Sequence, residues 1–173
     1  RTTCVLFGDG AGACVMAQVE QGGILATDMG SDGSAAGLLC MPGGGSKHPP
    51  SHESIDKKLH YLRMDGTEVF KLAVRNMADS VKRVMAEAHV TPSHIECFIP
   101  HQANIRIIEA VAKFAELPPA KVYMNLQRYG NTSAASNLIA LYEAVKEGKI
   151  KRGDHVVMVA FGAGMTWGSI LLQ

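Results

Sequence analysis

Apolar positions recur along this chain in two periods. Residues 2–7 and 13–19 are short apolar runs rich in β-branched side chains, and Gly8-Asp9-Gly10-Ala11-Gly12 lies between them. Strands separated by glycines that tolerate positive φ read as a β-hairpin. A third strand is expected over roughly residues 23–29. From 30 to 50 the chain is rich in Gly, Ser and Pro and continues through His52-Glu53-Ser54, so a long loop is predicted there. Asp65 and Glu68 then stand three apart, like a capping box with Asp in place of Ser or Thr. Val69, Phe70, Ala73, Val74, Met77, Val81, Val84 and Met85 follow at helical spacing.

Beyond Thr91-Pro92 the periods alternate. A buried strand is expected over 95–99, a helix over 104–117, a strand over 122–124, a helix over about 133–147 and a strand over 155–161. Gly148 suits the left-handed residue that ends a helix. This β-α-β rhythm predicts an α/β protein with a mainly parallel sheet covered by helices.

A repeat runs across these elements. Val5-Leu6-Phe7-Gly8-Asp9-Gly10-Ala11-Gly12 resembles Val159-Ala160-Phe161-Gly162-Ala163-Gly164, and an apolar run follows each. Two equivalent hairpins are therefore expected to close two equivalent units, the second complete and the first represented by little more than its hairpin. On this reading the N-terminal half lies outside the chain. The abrupt start in an apolar run, without Met or leader, points the same way.

Composition narrows the class. The 173 residues are 47% hydrophobic and 19% charged, enough for one ordinary core. No apolar stretch approaches the ~18 residues of a membrane span, so a soluble cytoplasmic or organellar protein without membrane contact is expected. Cys4, Cys14, Cys40 and Cys97 lack C-x-x-C spacing, and three lie in apolar runs where a reduced thiol packs as a small hydrophobe. Neither disulfides nor zinc are expected. A net charge of +1 argues against a nucleic-acid binder and leaves any anionic partner to a local patch.

Two residues could carry chemistry together. His101 follows Pro100 at the carboxyl end of a buried strand, where open α/β sheets place ligands and catalytic groups. Judged alone, it reads more readily as a hydrogen-bonded histidine that satisfies a strand end. Asn131, within Tyr129-Gly130-Asn131-Thr132-Ser133, should project from the same sheet edge. Its structural alternative is helix capping or a turn, although Thr132 or Ser133 could cap equally well. Other motifs are weaker. Gly8-Asp9-Gly10-Ala11-Gly12 lacks the Gly-Lys-Ser/Thr ending of a phosphate loop and precedes a strand. His48, His52 and Glu53 sit among prolines and polar residues, so a surface loop is expected and no metal.

The runs His101-Gln102-Ala103-Asn104-Ile105-Arg106-Ile107, Gly130-Asn131-Thr132-Ser133-Ala134-Ala135-Ser136 and Phe161-Gly162-Ala163-Gly164-Met165-Thr166-Trp167-Gly168 resemble the signatures of β-ketoacyl-acyl carrier protein synthase III. The resemblance extends through Phe7-Gly8-Asp9-Gly10-Ala11-Gly12-Ala13, Ser31-Asp32-Gly33-Ser34 and Gly66-Thr67-Glu68-Val69-Phe70-Lys71. It covers nearly the whole chain in the family's order, the variable stretch 43–62 excepted. It implies a thiolase-like fold, αβαβα layers in the intact enzyme. Residues 1–30 would be the last strands of the N-terminal half, 31–64 a connecting region and 65–173 the C-terminal half.

The family's reaction, as the resemblance implies it, moves an acyl group, usually acetyl, from acyl-CoA to a cysteine. The acyl group then condenses with malonyl-acyl carrier protein, releasing carbon dioxide and initiating fatty acid synthesis. His101 and Asn131 would hold the enolate oxygen left by decarboxylation, and the backbone N–H of Ala163, where Gly is commoner, would hold the oxyanion of the acyl thioester. Gly66, Phe70, Asn104 and Ile107 match positions lining the pantetheine tunnel, and Arg1 matches an arginine that stacks on the CoA adenine. Lys71, Arg75 and Arg106 resemble the basic patch that receives the acidic carrier protein, although a charged pair at helical spacing is usually a solvated face. The nucleophile is the departure. The family's cysteine opens a long helix of the N-terminal half, and none of the four here has that setting. No cofactor is implied, acyl-CoA being a substrate. The implied partners are malonyl-acyl carrier protein, the N-terminal half and a second copy in a homodimer, in cytoplasm or plastid stroma. Alternatives are a thiolase-fold ketosynthase that extends with malonyl-CoA, chalcone-synthase-like or of secondary metabolism, and an inactive fragment that binds carrier protein.

Overall fold

The computed structural model describes residues 3–173. Its main sheet has four strands: β1 (Ile24–Ser31), β4 (Ile95–Pro100), β5 (His155–Gly162) and β6 (Thr166–Leu172), in the order β1-β6-β5-β4. Two short strands, β2 (Leu39–Cys40) and β3 (Arg63–Met64), pair separately. The helices are α1 (His52–Asp56), α2 (Gly66–Glu87), α3 (Ile105–Phe114), α4 (Leu126–Tyr129) and α5 (Ala135–Lys146). Among the described residues no helix is long and apolar enough to cross a membrane.

The sheet is less parallel than the β-α-β rhythm predicts. Only β4 and β5 run parallel, whereas β5–β6 and β1–β6 are antiparallel. A tight turn joins β5 directly to β6, and a connection this short permits only antiparallel pairing. The strand expected over 23–29 is β1. It completes the same sheet as the strands of 95–172, although the sequence groups it with an N-terminal unit.

Helix α2 forms where its spacing predicts. The Asp65 carboxylate accepts from the Glu68 amide at 3.2 Å and caps it. The reciprocal half of the box is not made, because Glu68 pairs with Lys71 at 2.7 Å. The apolar stripe from Val69 to Met85 buries against the sheet and α3, each large side chain contributing on the order of 2 kcal/mol. Helix α5 covers the opposite face with small residues. Ala140 and Ala144 are fully buried against Cys97, Ile99, Val156 and Met158. A polar cluster pins β1 to α2 and β6: the Ser80 hydroxyl donates to Asp28 at 2.6 Å and lies 2.7 Å from Ser169 Oγ, while Arg83 grips Asp28 through Nε and Nη2. The Arg83 hydrogen bond holds the Asp28 carboxyl below the usual range.

Three predictions are corrected. Residues 2–7 and 13–19 form no hairpin. Among the described residues the segment pairs only through an isolated bridge from Phe7 to Asn131, and Cys4 and Cys14 are exposed instead of packed in strands. The strand expected over 122–124 shrinks to a bridge between Val122 and Phe98, since Pro118 and Pro119 limit ladder donors just before it. The expected long loop holds a 3₁₀ turn (Gly33–Leu38), β2 and α1, the last capped by reciprocal bonds between Ser51 and Ser54.

Candidate active site

His101 stands at the end of β4. Its backbone N–H donates to Val159 O at 2.7 Å, extending the parallel seam by one bond. The imidazole is partly buried and lines a cavity of about 370 Å³ with Ser133, Phe161, Gly162, Thr166 and Trp167. Burial pushes its pKa down to about 4, so the ring is neutral at physiological pH. Its Nδ1 lies 2.6 Å from the hydroxyl of Ser136, at the start of α5.

Gln102 anchors this corner. Its fully buried side chain donates from Nε2 to Pro100 O at 2.7 Å and to Tyr123 O at 3.4 Å, while Oε1 accepts from the amides of Asn125 at 3.0 Å and Leu126 at 3.2 Å. These bonds tie the end of β4 to the start of α4, and α4 runs into the Asn131 loop. Asn137 adds a second tie, donating to Ile99 O at 3.0 Å. Arg128 binds Glu143 at 2.8 Å and Glu147 at 3.3 Å, and Tyr129 also donates to Glu143, fastening α4 to α5.

Asn131 is half-buried in a seam with the N-terminal segment. Its N–H donates to Leu6 O and its carbonyl accepts from the Gly8 N–H, both at 3.0 Å. Its side-chain Oδ1 accepts from the Ser133 amide at 2.8 Å, an Asx turn that leaves Nδ2 as the donor. Asn131 itself is not among the residues lining the cavity. Ser133, two residues on, is, with φ of 54°.

The other predicted residues fall in distinct places. Ala163 occupies the exposed turn between Gly162 and Thr166, and its carbonyl accepts from Thr166 Oγ1 at 3.2 Å. Asn104 caps α3, accepting from the amides of Arg106 and Ile107. Ile107 is buried in the core between α2 and the sheet. Gly66 is the first residue of α2, and Arg1 lies outside the described residues. Phe70, Lys71 and Arg75 line a groove of about 330 Å³ with Lys82 and Phe114; Arg106, exposed at the start of α3, is not part of its lining. Glu53 of the discounted metal motif binds Lys57 at 2.5 Å.

The sequence reading missed Gln102, Ser136 and Asn137. Gln102 and Ser136 lie inside motifs that carry the resemblance, but no local spacing says which backbone groups or ring atom each would serve. The wall residue Trp167 also went unassigned. Its indole N–H is buried with no partner among the described residues, and the ring presses on Gly30, where a Cβ would lie 2.4 Å from it.

Comparison with known proteins gives a consistent result. The family model described as 3-oxoacyl-[acyl-carrier-protein (ACP)] synthase III C terminal matches residues 85–173, and that of 3-oxoacyl-[acyl-carrier-protein (ACP)] synthase III matches 1–33. The chain is similar to the β-ketoacyl-[acyl-carrier-protein] synthase III of Clostridioides difficile (strain 630), at 52% identity over 173 residues, covering 100% of this chain and 53% of the relative. It is 53% identical to that of Caldanaerobacter subterraneus subsp. tengcongensis, again covering 53% of the relative. A crystal structure of 3-oxoacyl-[acyl-carrier-protein] synthase III from Aquifex aeolicus VF5 superposes with a TM-score of 0.86 at 49% identity, covering 100% of this chain and 52% of that one. The Pseudomonas aeruginosa PAO1 structure gives 0.84 at 40% identity. The chain has the thiolase-like α/β fold of these neighbours and spans about half the length of the curated relatives it matches.

Proposed function

Because the chain belongs to the 3-oxoacyl-[acyl-carrier-protein] synthase III family, we propose that it supplies the decarboxylation half of a condensation between an acyl-CoA starter, acetyl-CoA foremost, and malonyl-acyl carrier protein. The observation that carries this reading is a neutral, partly buried His101 on a cavity wall at a strand end, its loop tied through Gln102 to the segment bearing Asn131. Loss of carbon dioxide from a malonyl thioester leaves an enolate whose oxygen carries the new negative charge. An imidazole N–H and the Asn131 Nδ2–H, held in place beforehand, stabilise that charge where water is displaced. A neutral ring keeps one N–H to donate.

The enolate carbon then attacks an acyl thioester. In this reading the acylated cysteine is none of the four present. Burial pushes the Cys97 thiol up to about 11, opposite to what a nucleophile needs, and Cys40 Sγ lies 3.7 Å from Gly37 O as a weak donor. Cys4 and Cys14 are exposed in a segment that is not helical. The Ala163 N–H receives the oxyanion of that thioester. Gly66, Phe70 and Asn104 flank the pantetheine path. Lys71 and Arg75 on the groove, with Arg106, meet the acidic carrier protein. The working form is a homodimer in the cytoplasm.

The test uses the full-length protein. His101→Ala and Asn131→Ala should each lower malonyl-acyl carrier protein decarboxylation about 10²- to 10³-fold, the usual loss of one preorganised donor, while cysteine acylation by acetyl-CoA proceeds. Lost acylation with normal decarboxylation would reject the assignment. Exclusive use of malonyl-CoA as extender would favour a ketosynthase of secondary metabolism.

A further inference from the structure

We propose that Ser136 is a positioning residue that fixes His101 in the Nε2–H tautomer and so aims the ring's one N–H away from α5 and toward the cavity. Ser136 is 2% exposed, and its hydroxyl makes two contacts: it accepts from the Gln102 amide at 3.2 Å and meets His101 Nδ1 at 2.6 Å. A backbone N–H can only donate, so that bond occupies one lone pair of Oγ. Among the described residues the hydroxyl proton then has a single acceptor, His101 Nδ1.

The opposite arrangement, Nδ1–H donating to Oγ, makes the serine oxygen a double acceptor and leaves its own buried proton without a partner. Buried hydroxyls avoid this. With Nδ1 accepting, the proton of the neutral ring resides on Nε2, at the far edge of the imidazole. The placement is held from both sides. Gln102, whose amide fills the serine lone pair, is itself locked by its bonds to Pro100, Tyr123, Asn125 and Leu126. Ser136 sits in the first turn of α5, which Asn137 moors to Ile99 O. Neither partner can rotate without breaking other bonds.

The tautomer follows from geometry alone; its catalytic weight rests on the donor role proposed above for His101. The experiment labels the full-length protein with ¹⁵N-histidine and reads the ring nitrogens at pH 7 by long-range ¹H–¹⁵N correlation, assigning His101 by its loss in His101→Gln. The wild type should show an unprotonated Nδ1 and a protonated Nε2. Ser136→Ala should populate the Nδ1–H form and slow malonyl decarboxylation on the order of tenfold to a hundredfold, as for other partners that orient an imidazole. Ser136→Thr, which keeps the hydroxyl, should restore both. A proton on Nδ1 in the wild type overturns the proposal even if Ser136→Ala does not fold, and so does an unchanged tautomer in a folded Ser136→Ala. The expected tautomer alongside a decarboxylation rate indifferent to His101→Ala would reject the donor role and leave the tautomer assignment standing.

Discussion

The two copies of the glycine-rich repeat meet opposite fates. Val159-Ala160-Phe161-Gly162-Ala163-Gly164 lies in β5 and the turn to β6, with Val159 at 1% exposure. Val5-Leu6-Phe7-Gly8-Asp9-Gly10-Ala11-Gly12 lies along α5 with one bridge, and the matching Val5 is 76% exposed. Similar local sequences thus give a strand in one place and a turn followed by a largely unpaired segment in the other. The second copy is flanked by β4 and β6, with Val159 buried in the core. The first has no ladder beside it among the described residues, and a two-stranded hairpin alone is marginal in water. β-propensity measures fit to neighbours more than backbone preference.

Substitutions at equivalent places sharpen this contrast. Val159→Ala should cost about 2–4 kcal/mol in denaturant unfolding, because it opens a cavity in the packed core. A cost near zero would mean that the second copy is no better supported than the first. The paired glycines Gly8 and Gly162 come next. A Cβ on Gly8 would lie 2.0 Å from Tyr129 O, whereas one on Gly162 meets only Thr166 Oγ1 at 3.9 Å. Gly8→Ala should therefore cost about 1–3 kcal/mol and shift the amide resonances of 129–133, while Gly162→Ala stays within about 0.5 kcal/mol. Equal costs would erase the distinction between a glycine needed for close approach and one that is not.

Acid acts on the second copy through His101, whose backbone bonds to Val159. Burial lowers its pKa from the ordinary 6.5 to about 4, so below 6.5 the unfolded chain gains a proton that the folded ring refuses. This contribution is therefore intact above pH 6.5 and erodes as pH falls toward 4. The ceiling is about 1.4 kcal/mol per pH unit, and the ring's partial exposure reduces the expected loss to about 1–2 kcal/mol. His101→Gln should flatten that part of the pH–stability curve, and an unaltered slope would contradict the buried neutral ring. The smallest effect belongs to the first copy: Val5→Ala should change stability by less than about 0.5 kcal/mol.

These contrasts also explain what the sequence could reveal. Helix α2 was legible because its apolar stripe and the Asp65 cap are both local. Strand β4 was legible because its apolar run is bounded by Pro92 and Pro100. Helix α1 was not, since Ser51 and Ser54 form a box without the Glu or Gln that signals one, and α4 is shorter than the windows periodicity needs. His101 could be singled out from its place after a buried strand. Ser136 could not be assigned a role, because its partner is 35 positions away and meets it only where α5 crosses the end of β4.

Gln102 sets a limit on variation in this corner. One side chain spans the gap between two chain segments, accepting at one end and donating at the other, so its reach and its amide are both specified. Asparagine is a methylene short, and glutamate would face the carbonyls of Pro100 and Tyr123 with a second acceptor. The exposed residues Pro118, Pro119 and Ala120, which this clasp bypasses, are where insertions and deletions should accumulate without changing the distance between the two loops.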